Sequence, residues 1–133
     1  MALHEITKGM DNASQAIMEN FLKGSVVDSG SNENGSFVKL GSGHLICFHK
    51  ADVVYANTNY LQYDWKYPAE YSQSPLVIPQ KNASNLSRRF VTGSIGGTPM
   101  LSSATIRLFN STTDNYVSGD SLGVYMISIG FYK

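Results

Sequence analysis

The chain has 133 residues, enough for one domain and short of two. Lys and Arg number 10, Asp and Glu 10, and charged residues make up only 15%, against ~25% in an average soluble domain. Ser (17), Asn (10) and Thr (7) outnumber them, so the expected surface is neutral and rich in hydroxyls and amides. That excludes the basic stripe of a nucleic-acid binder and the polybasic patch of a membrane-surface binder. Aromatic residues reach 11%, which argues against disorder.

One cysteine, Cys47, excludes an intrachain disulfide framework. The segment Met1–Ile6 has no basic n-region and no long apolar core, so no signal peptide is expected. No apolar run approaches the ~20 residues of a membrane span. Five Asn-x-Ser/Thr triplets, at Asn12, Asn34, Asn82, Asn85 and Asn110, reflect abundant Asn, Ser and Thr more simply than glycosylation.

The first elements are helical. Met10, Ala13, Ile17 and Phe21 fall at helical spacing, with Ala16 beside the stripe. Asp11 or Asn12 can cap the start, and Gly24 can end the helix after Lys23. A helix of about 12 residues is marginal alone in water. Its thin stripe needs cover, either from its own domain or from the same helix in identical chains. Residues 1–24 are therefore read as a helical stem and residues 25–133 as a β domain.

From Gly24 onward the pattern changes to strands. Ser29–Gly35 reads as a flexible turn. Phe37–Leu40 and His44–Phe48 read as a hairpin around Gly41-Ser-Gly43. Further strands are expected near 52–56, 60–65, 75–78, 89–92, 103–110 and 122–132. Short strands with turn signals and no helical period imply an antiparallel sandwich or barrel.

The last strand sends Leu122, Val124, Met126, Ser128 and Gly130 one way. Gly123, Tyr125, Ile127, Ile129 and Phe131 go the other. Neither face is polar, whereas such a strand normally has one wet face. One face meets the core; the other needs a second subunit or a long loop. In 103–110, Ala104, Ile106 and Leu108 make a core face, and Ser103, Thr105, Arg107 and Phe109 a mixed one. A lone Arg there is a solvated or paired charge, or a contact to a ligand or subunit.

Nothing in the sequence reads as a catalytic site. Cys47 and His49 share a strand face, but neighbours two apart project in parallel and do not form a nucleophile–base pair. No third or fourth metal ligand lies at a usual spacing, so no metal and no cofactor are expected. Asp52, Asp64, Asp114 and Asp120 sit near expected turns, where Asp is ordinary. Gly93-Ser-Ile-Gly-Gly97 lacks the Lys and Ser/Thr of a phosphate loop.

Three segments resemble H-type lectin domains in order and spacing. They are Tyr67–Val77, with its aromatics followed by Pro and apolar residues; Ser103–Tyr116, a strand with an Asn/Ser/Thr turn; and Val124–Phe131, a closing strand. The resemblance implies a six-stranded sandwich that assembles as a trimer and binds simple sugars. Asn34–Phe48 is similar to a segment that recurs in tail-fibre and baseplate proteins of tailed phages. Lys8–Phe21 resembles the N-terminal part of baseplate or receptor-binding proteins from phages of Gram-positive bacteria. Those are trimers with a helical stem and a saccharide-binding head. The chain departs from the lectins at Val117–Ser121, which is short and lacks their aromatic–His pair.

The expectation is thus an all-β, H-type lectin-like sandwich head on a short helix. It is a homotrimer at a phage tail tip, partnered by other tail or baseplate proteins, and recognises a host saccharide without catalysis. The alternatives are a structural baseplate component with no sugar site and a cellular lectin. The resemblance places the sugar between loops 57–60 and 118–121, with Asn57, Asn59, Tyr60, Arg107, Tyr116 and Asp120 as contacts. The trimer interface is expected at Met10, Ala13, Ile17 and Phe21 of the stem and at Tyr125, Ile127 and Ile129 of the last strand.

Overall fold

A computed structural model describes residues 12–81, 91–110 and 115–133. Among the described residues, one helix, α1 (Asn12–Lys23), precedes eight strands. These are β1 (Val26–Asn32), β2 (Gly35–Leu40), β3 (His44–Tyr55), β4 (Tyr60–Lys66), β5 (Leu76–Lys81), β6 (Val91–Ile95), β7 (Ser103–Asn110) and β8 (Ser121–Phe131). Helix α1 runs from Asn12 to Lys23 and ends before Gly24, the stop that the sequence predicts. Ala13 is exposed and Ile17 is 73% exposed, so this part of the apolar stripe is not covered by the head. Met10 and the Phe21 side chain lie outside the described residues.

Among the described residues all strand pairings are antiparallel. The hydrogen-bonded order runs β1-β2-β3-β4-β7-β6, and β8 lies between β3 and β5. Strand β3 pairs with β8 from His44↔Phe131 to Val54↔Ser121. Only its last residues, Val54 and Tyr55, pair with β4. The sheet therefore turns at the β3–β4 junction. Its β3–β8 part and its β4–β7 part face one another across a single core.

Alternation along each strand builds that core. Leu45, Cys47 and Val53 of β3 meet Leu122, Val124 and Met126 of β8, Leu61 and Trp65 of β4, and Ala104, Ile106 and Leu108 of β7. Fully burying one such aliphatic side chain stabilises by roughly 1.5–3 kcal/mol. Three aromatics extend the core. Tyr67 meets the Trp65 ring edge-on, with centroids 5.1 Å apart, and Tyr71 meets Tyr67 in the same way at 5.1 Å. Trp65 Nε1 donates to the Asn34 carbonyl at 2.9 Å. The Tyr71 hydroxyl lies 2.6 Å from Ser128 Oγ, which satisfies the buried serine of β8. Gly130 makes room for this ring, since a Cβ there would come 2.9 Å from Tyr71 Cδ1.

The strand pattern is corrected in three places. The segment read as a flexible turn, Ser29–Gly35, mostly belongs to β1, which forms a two-residue hairpin with β2 through Glu33-Asn34. Strand β1 is an edge strand, exposed along nearly all its length, so it shows no apolar alternation to read. Gly35 closes the hairpin at φ 121°, where a Cβ would also collide with the Phe48 carbonyl oxygen. The strands expected at 44–48 and 52–56 are one strand, β3, ending at Tyr55, because no Gly or Pro interrupts it. The strand expected at 89–92 is Val91–Ile95; residues 89 and 90 lie outside the described residues. Among the described residues, eight strands thus stand where the lectin resemblance implies six.

The Tyr71–Ser128 bond makes a direct prediction. Tyr71→Phe takes the tyrosine hydroxyl from the buried serine and should cost ~1–3 kcal/mol, read from the denaturant midpoint. Adding Ser128→Ala should then cost much less than it does alone, because the bond the two share is already gone.

Candidate functional site

The two halves of the sheet present opposite outer surfaces. On β4, Tyr60, Gln62, Asp64 and Lys66 alternate outward, against Phe109, Arg107, Thr105 and Ser103 of β7. This face is polar and internally bonded. Arg107 Nε donates to Gln62 Oε1 at 3.0 Å. Gln62 Nε2 donates to Asp64 Oδ1 at 3.3 Å, and Thr105 Oγ1 donates to the same oxygen at 3.1 Å. The Arg107 guanidinium carbon lies 4.6 Å from the Tyr60 ring centroid, a cation–π contact. Tyr60 in turn packs on Phe109, with centroids 5.4 Å apart.

Turn chemistry brings the two expected loops to one end of the head. Asn57 Oδ1 accepts from the Asn59 amide at 2.8 Å and from the Tyr60 amide at 3.1 Å. Asp120 Oδ2 accepts from the Val117 amide at 2.9 Å. The loops are tied together where the Tyr116 amide donates to the Thr58 carbonyl at 3.0 Å and the Tyr55 amide to the Asp120 carbonyl at 3.0 Å. Asn57 and Asp120 thus spend acceptor oxygens on shaping turns. Asn59 is exposed. Tyr116 is only 1% exposed, so its ring offers no stacking face, which corrects its expected role. Its ring is fully buried ahead of β8.

Of the expected sugar contacts, Tyr60 and Arg107 are the pair whose side chains meet. Gln62, Asp64 and Phe109 complete their surroundings and were not singled out as contacts from sequence. A strand at 60–65 is expected from the sequence, but its register against β7 is not legible there.

The opposite outer surface is apolar. Ile129 of β8 sits between Leu76 and Ile46, and Ile127 sits between Ile78 and Phe48. Leu76 is 62% exposed, and Tyr125, Ile127 and Ile129 are all exposed, so the outward apolar face of β8 lies open. A groove of about 680 Å³ runs into it, lined by Gly35, Ser36, Phe48, His49, Lys50, Tyr125, Met126 and Ile127.

No protein-family model and no curated protein matches the chain in sequence. In structure it is similar to the N-truncated R1-type pyocin tail fibre, with a TM-score of 0.60 and 14% identity over 92% of this chain and 99% of that one. It is similar also to a C-terminal fragment of the P. aeruginosa R1 pyocin fibre, with a TM-score of 0.59, 13% identity, and coverage of 98% and 37%. For the N-truncated R2-type pyocin tail fibre the TM-score is 0.54 and the identity 8%, over 98% of this chain and 47% of that one. The chain thus has the fold of pyocin tail-fibre domains and spans less than half of the last two fibres.

The titratable core groups are held in their neutral forms. Burial pushes the Cys47 thiol up, outweighing hydrogen bonds with Tyr71 and Ser128 that favour the thiolate. Burial also raises the Tyr67 and Tyr71 hydroxyls well above the ordinary tyrosine range. Burial lowers His49, which stacks on Trp65 with centroids 6.4 Å apart. Among the described residues no three His, Cys, Asp or Glu side chains are grouped to hold a metal ion. No helix among them is long and apolar enough to cross a membrane.

Two outcomes are expected. Cys47 should react with a thiol reagent only through unfolding, so its rate should follow the population of open chains across denaturant. His49 binds fewer protons in the folded state than in the unfolded one. Stability should therefore fall as pH drops below its ordinary value of 6.5, and His49→Gln should flatten that slope in pH-dependent melting.

Proposed function

We propose that this chain is the receptor-binding head of a phage-type tail fibre, that it assembles as a homotrimer, and that it recognises a host-surface saccharide without catalysis. The observation that carries the reading is the pyocin tail-fibre fold over nearly the whole chain. The two outer surfaces support its finer parts. An apolar sheet face of this extent on a short chain is a surface for association. A polar face with aromatic rings and hydroxyl-matching amides suits a sugar ring.

In this reading, residues 1–24 are the stem and residues 25–133 the head. The stem joins its copies through the stripe that includes Ala13 and Ile17. The heads join through Tyr125, Ile127 and Ile129. Residues 8–11, which carry part of the resemblance to phages of Gram-positive bacteria, lie outside the described residues, and the host class rests on that resemblance alone. Sugar contacts centre on Tyr60 and Arg107, with Asn59 beside them and Asn57 and Asp120 holding the turns. Single shallow sugar sites bind weakly, and three heads on one fibre gain strength through multivalency. The fibre's other partners are tail or baseplate proteins, and its place is the virion tail.

Light scattering should give the mass of three chains. Ile127→Asp should give one chain with its strand content intact, because Ile127 faces outward and only the interface would bury the charge. A parent that stays monomeric at micromolar concentration overturns the assembly. Removing residues 1–24 should leave a head that still unfolds cooperatively. For recognition, a bacterial surface glycan array should retain the trimer on a limited set of structures and release them uncut. A blank array with intact trimers would favour a structural baseplate part instead.

A further inference from the structure

The Arg107 site has features that a merely solvated arginine does not need. Its Nε is engaged by Gln62 Oε1 at 3.0 Å, and its guanidinium carbon lies over the Tyr60 ring, 4.6 Å from the centroid. The backbone at Gly96 approaches it closely, since a Cβ there would come 3.0 Å from Nε and 3.2 Å from the guanidinium carbon. The side chain is half-buried and its rotamer is held from several sides. Yet no carboxylate pairs with it among the described residues. Asp64, the acidic residue of the same face, lies beyond Gln62, and its Oδ1 already accepts from Gln62 and Thr105. The Gln62 amide is oriented by both neighbours, with its oxygen toward the cation and its nitrogen toward the anion. What remains is the terminal edge of the guanidinium, two NH₂ groups with no acceptor among the described residues.

We propose that this edge binds the carboxylate of an acidic saccharide, a uronic acid unit, in a two-point fork. The inference rests on the saccharide-binding reading above and names its ligand class. A guanidinium edge matches the spacing of two carboxylate oxygens, and such bidentate charge-assisted bonds are about twice as strong as neutral ones. Holding the side chain in advance lowers the ordering cost of binding. The 38%-exposed Phe109 ring and the Tyr60 ring lie next to the fork, where the apolar face of the same sugar would rest. A hydroxyl-only sugar would use this edge one bond at a time.

The test is a saturation-transfer NMR titration of the full chain with trigalacturonate, its methyl ester and a neutral galactose trimer. Trigalacturonate should bind at least tenfold more tightly than either neutral ligand, and should shift the Arg107 Nε–H and Tyr60 ring signals. This ligand series needs no variant. Arg107→Lys keeps the charge but loses the fork, and should weaken trigalacturonate binding about tenfold while leaving the melting temperature near the parent's. Gly96→Ala, which crowds the guanidinium, should weaken it as well. Equal binding of acidic and neutral trimers overturns the carboxylate assignment and leaves a sugar-binding head standing. Inorganic phosphate displacing trigalacturonate at lower concentration than acetate reassigns the fork to phosphate and overturns it too. An acidic peptide that binds more tightly than trigalacturonate overturns it in favour of a protein partner. If all three trimers fail to bind, the inference falls. The saccharide reading falls with it only if the glycan array is also blank.

Discussion

The ladder between β3 and β8, from His44↔Phe131 to Val54↔Ser121, is the constraint on which the other elements depend. It fixes which side chains of two long strands enter the core. A register slip of one residue would send Ile127 and Ile129 inward and Met126 and Ser128 outward. Tyr71 guards against that slip. Its hydroxyl is bonded to Ser128, and its ring fits over Gly130, the β8 position where a side chain has least room. The aromatic row Trp65, Tyr67 and Tyr71 then carries the same register across to β4. The corner at Val54 and Tyr55 is where β3 leaves β8's partner surface and hands the chain to the second half of the sheet.

Fixing that ladder leaves two outer faces with opposite chemistry. Beside β8 the outward residues are Ile46, Phe48, Leu76, Ile78, Ile127 and Ile129. Beside β7 they are Gln62, Asp64, Thr105 and Arg107. The first face gains from exclusion of water and needs no direction, so a broad protein surface can cover it. The second is already hydrogen-bonded to itself, and covering it without matching those bonds would cost free energy. A ligand on the second face must therefore bring polar groups that fit.

Much of the fold could be read from the sequence, and the reasons differ by element. The inside and outside of β8 were legible because period-two alternation survives even when both faces are apolar: Leu122, Val124 and Met126 are buried and Tyr125, Ile127 and Ile129 are not. The end of the helix was legible from Gly24. Strand β1 was not, because Ser, Gly, Asn and Asp carry no burial signal on a solvated edge. The site was legible only in part. Arg107 stood out as one cation among hydroxyls, and Tyr60 as an aromatic at a turn. Their contact depends on the β4–β7 register, Tyr60↔Phe109 and Gln62↔Arg107, which no local pattern encodes. Tyr116 failed as a sugar platform for a related reason: an aromatic after a polar turn looks exposed until the core behind it is known.

The placement of the two faces also bears on how recognition and assembly can coexist. Arg107 and Tyr60 belong to the half of the sheet beyond the β3–β4 corner, whereas Ile127 and Ile129 belong to the half before it. In a trimer built on the apolar half, the fork would keep its access to solvent, and one interface would not compete with the other. The two functions then place different demands on the sequence. Association tolerates exchange among aliphatic residues of similar size, because packing is largely non-directional. The fork does not tolerate exchange of Arg for Lys, because a point charge cannot hold Gln62, lie over Tyr60 and offer a planar pair of donors at once.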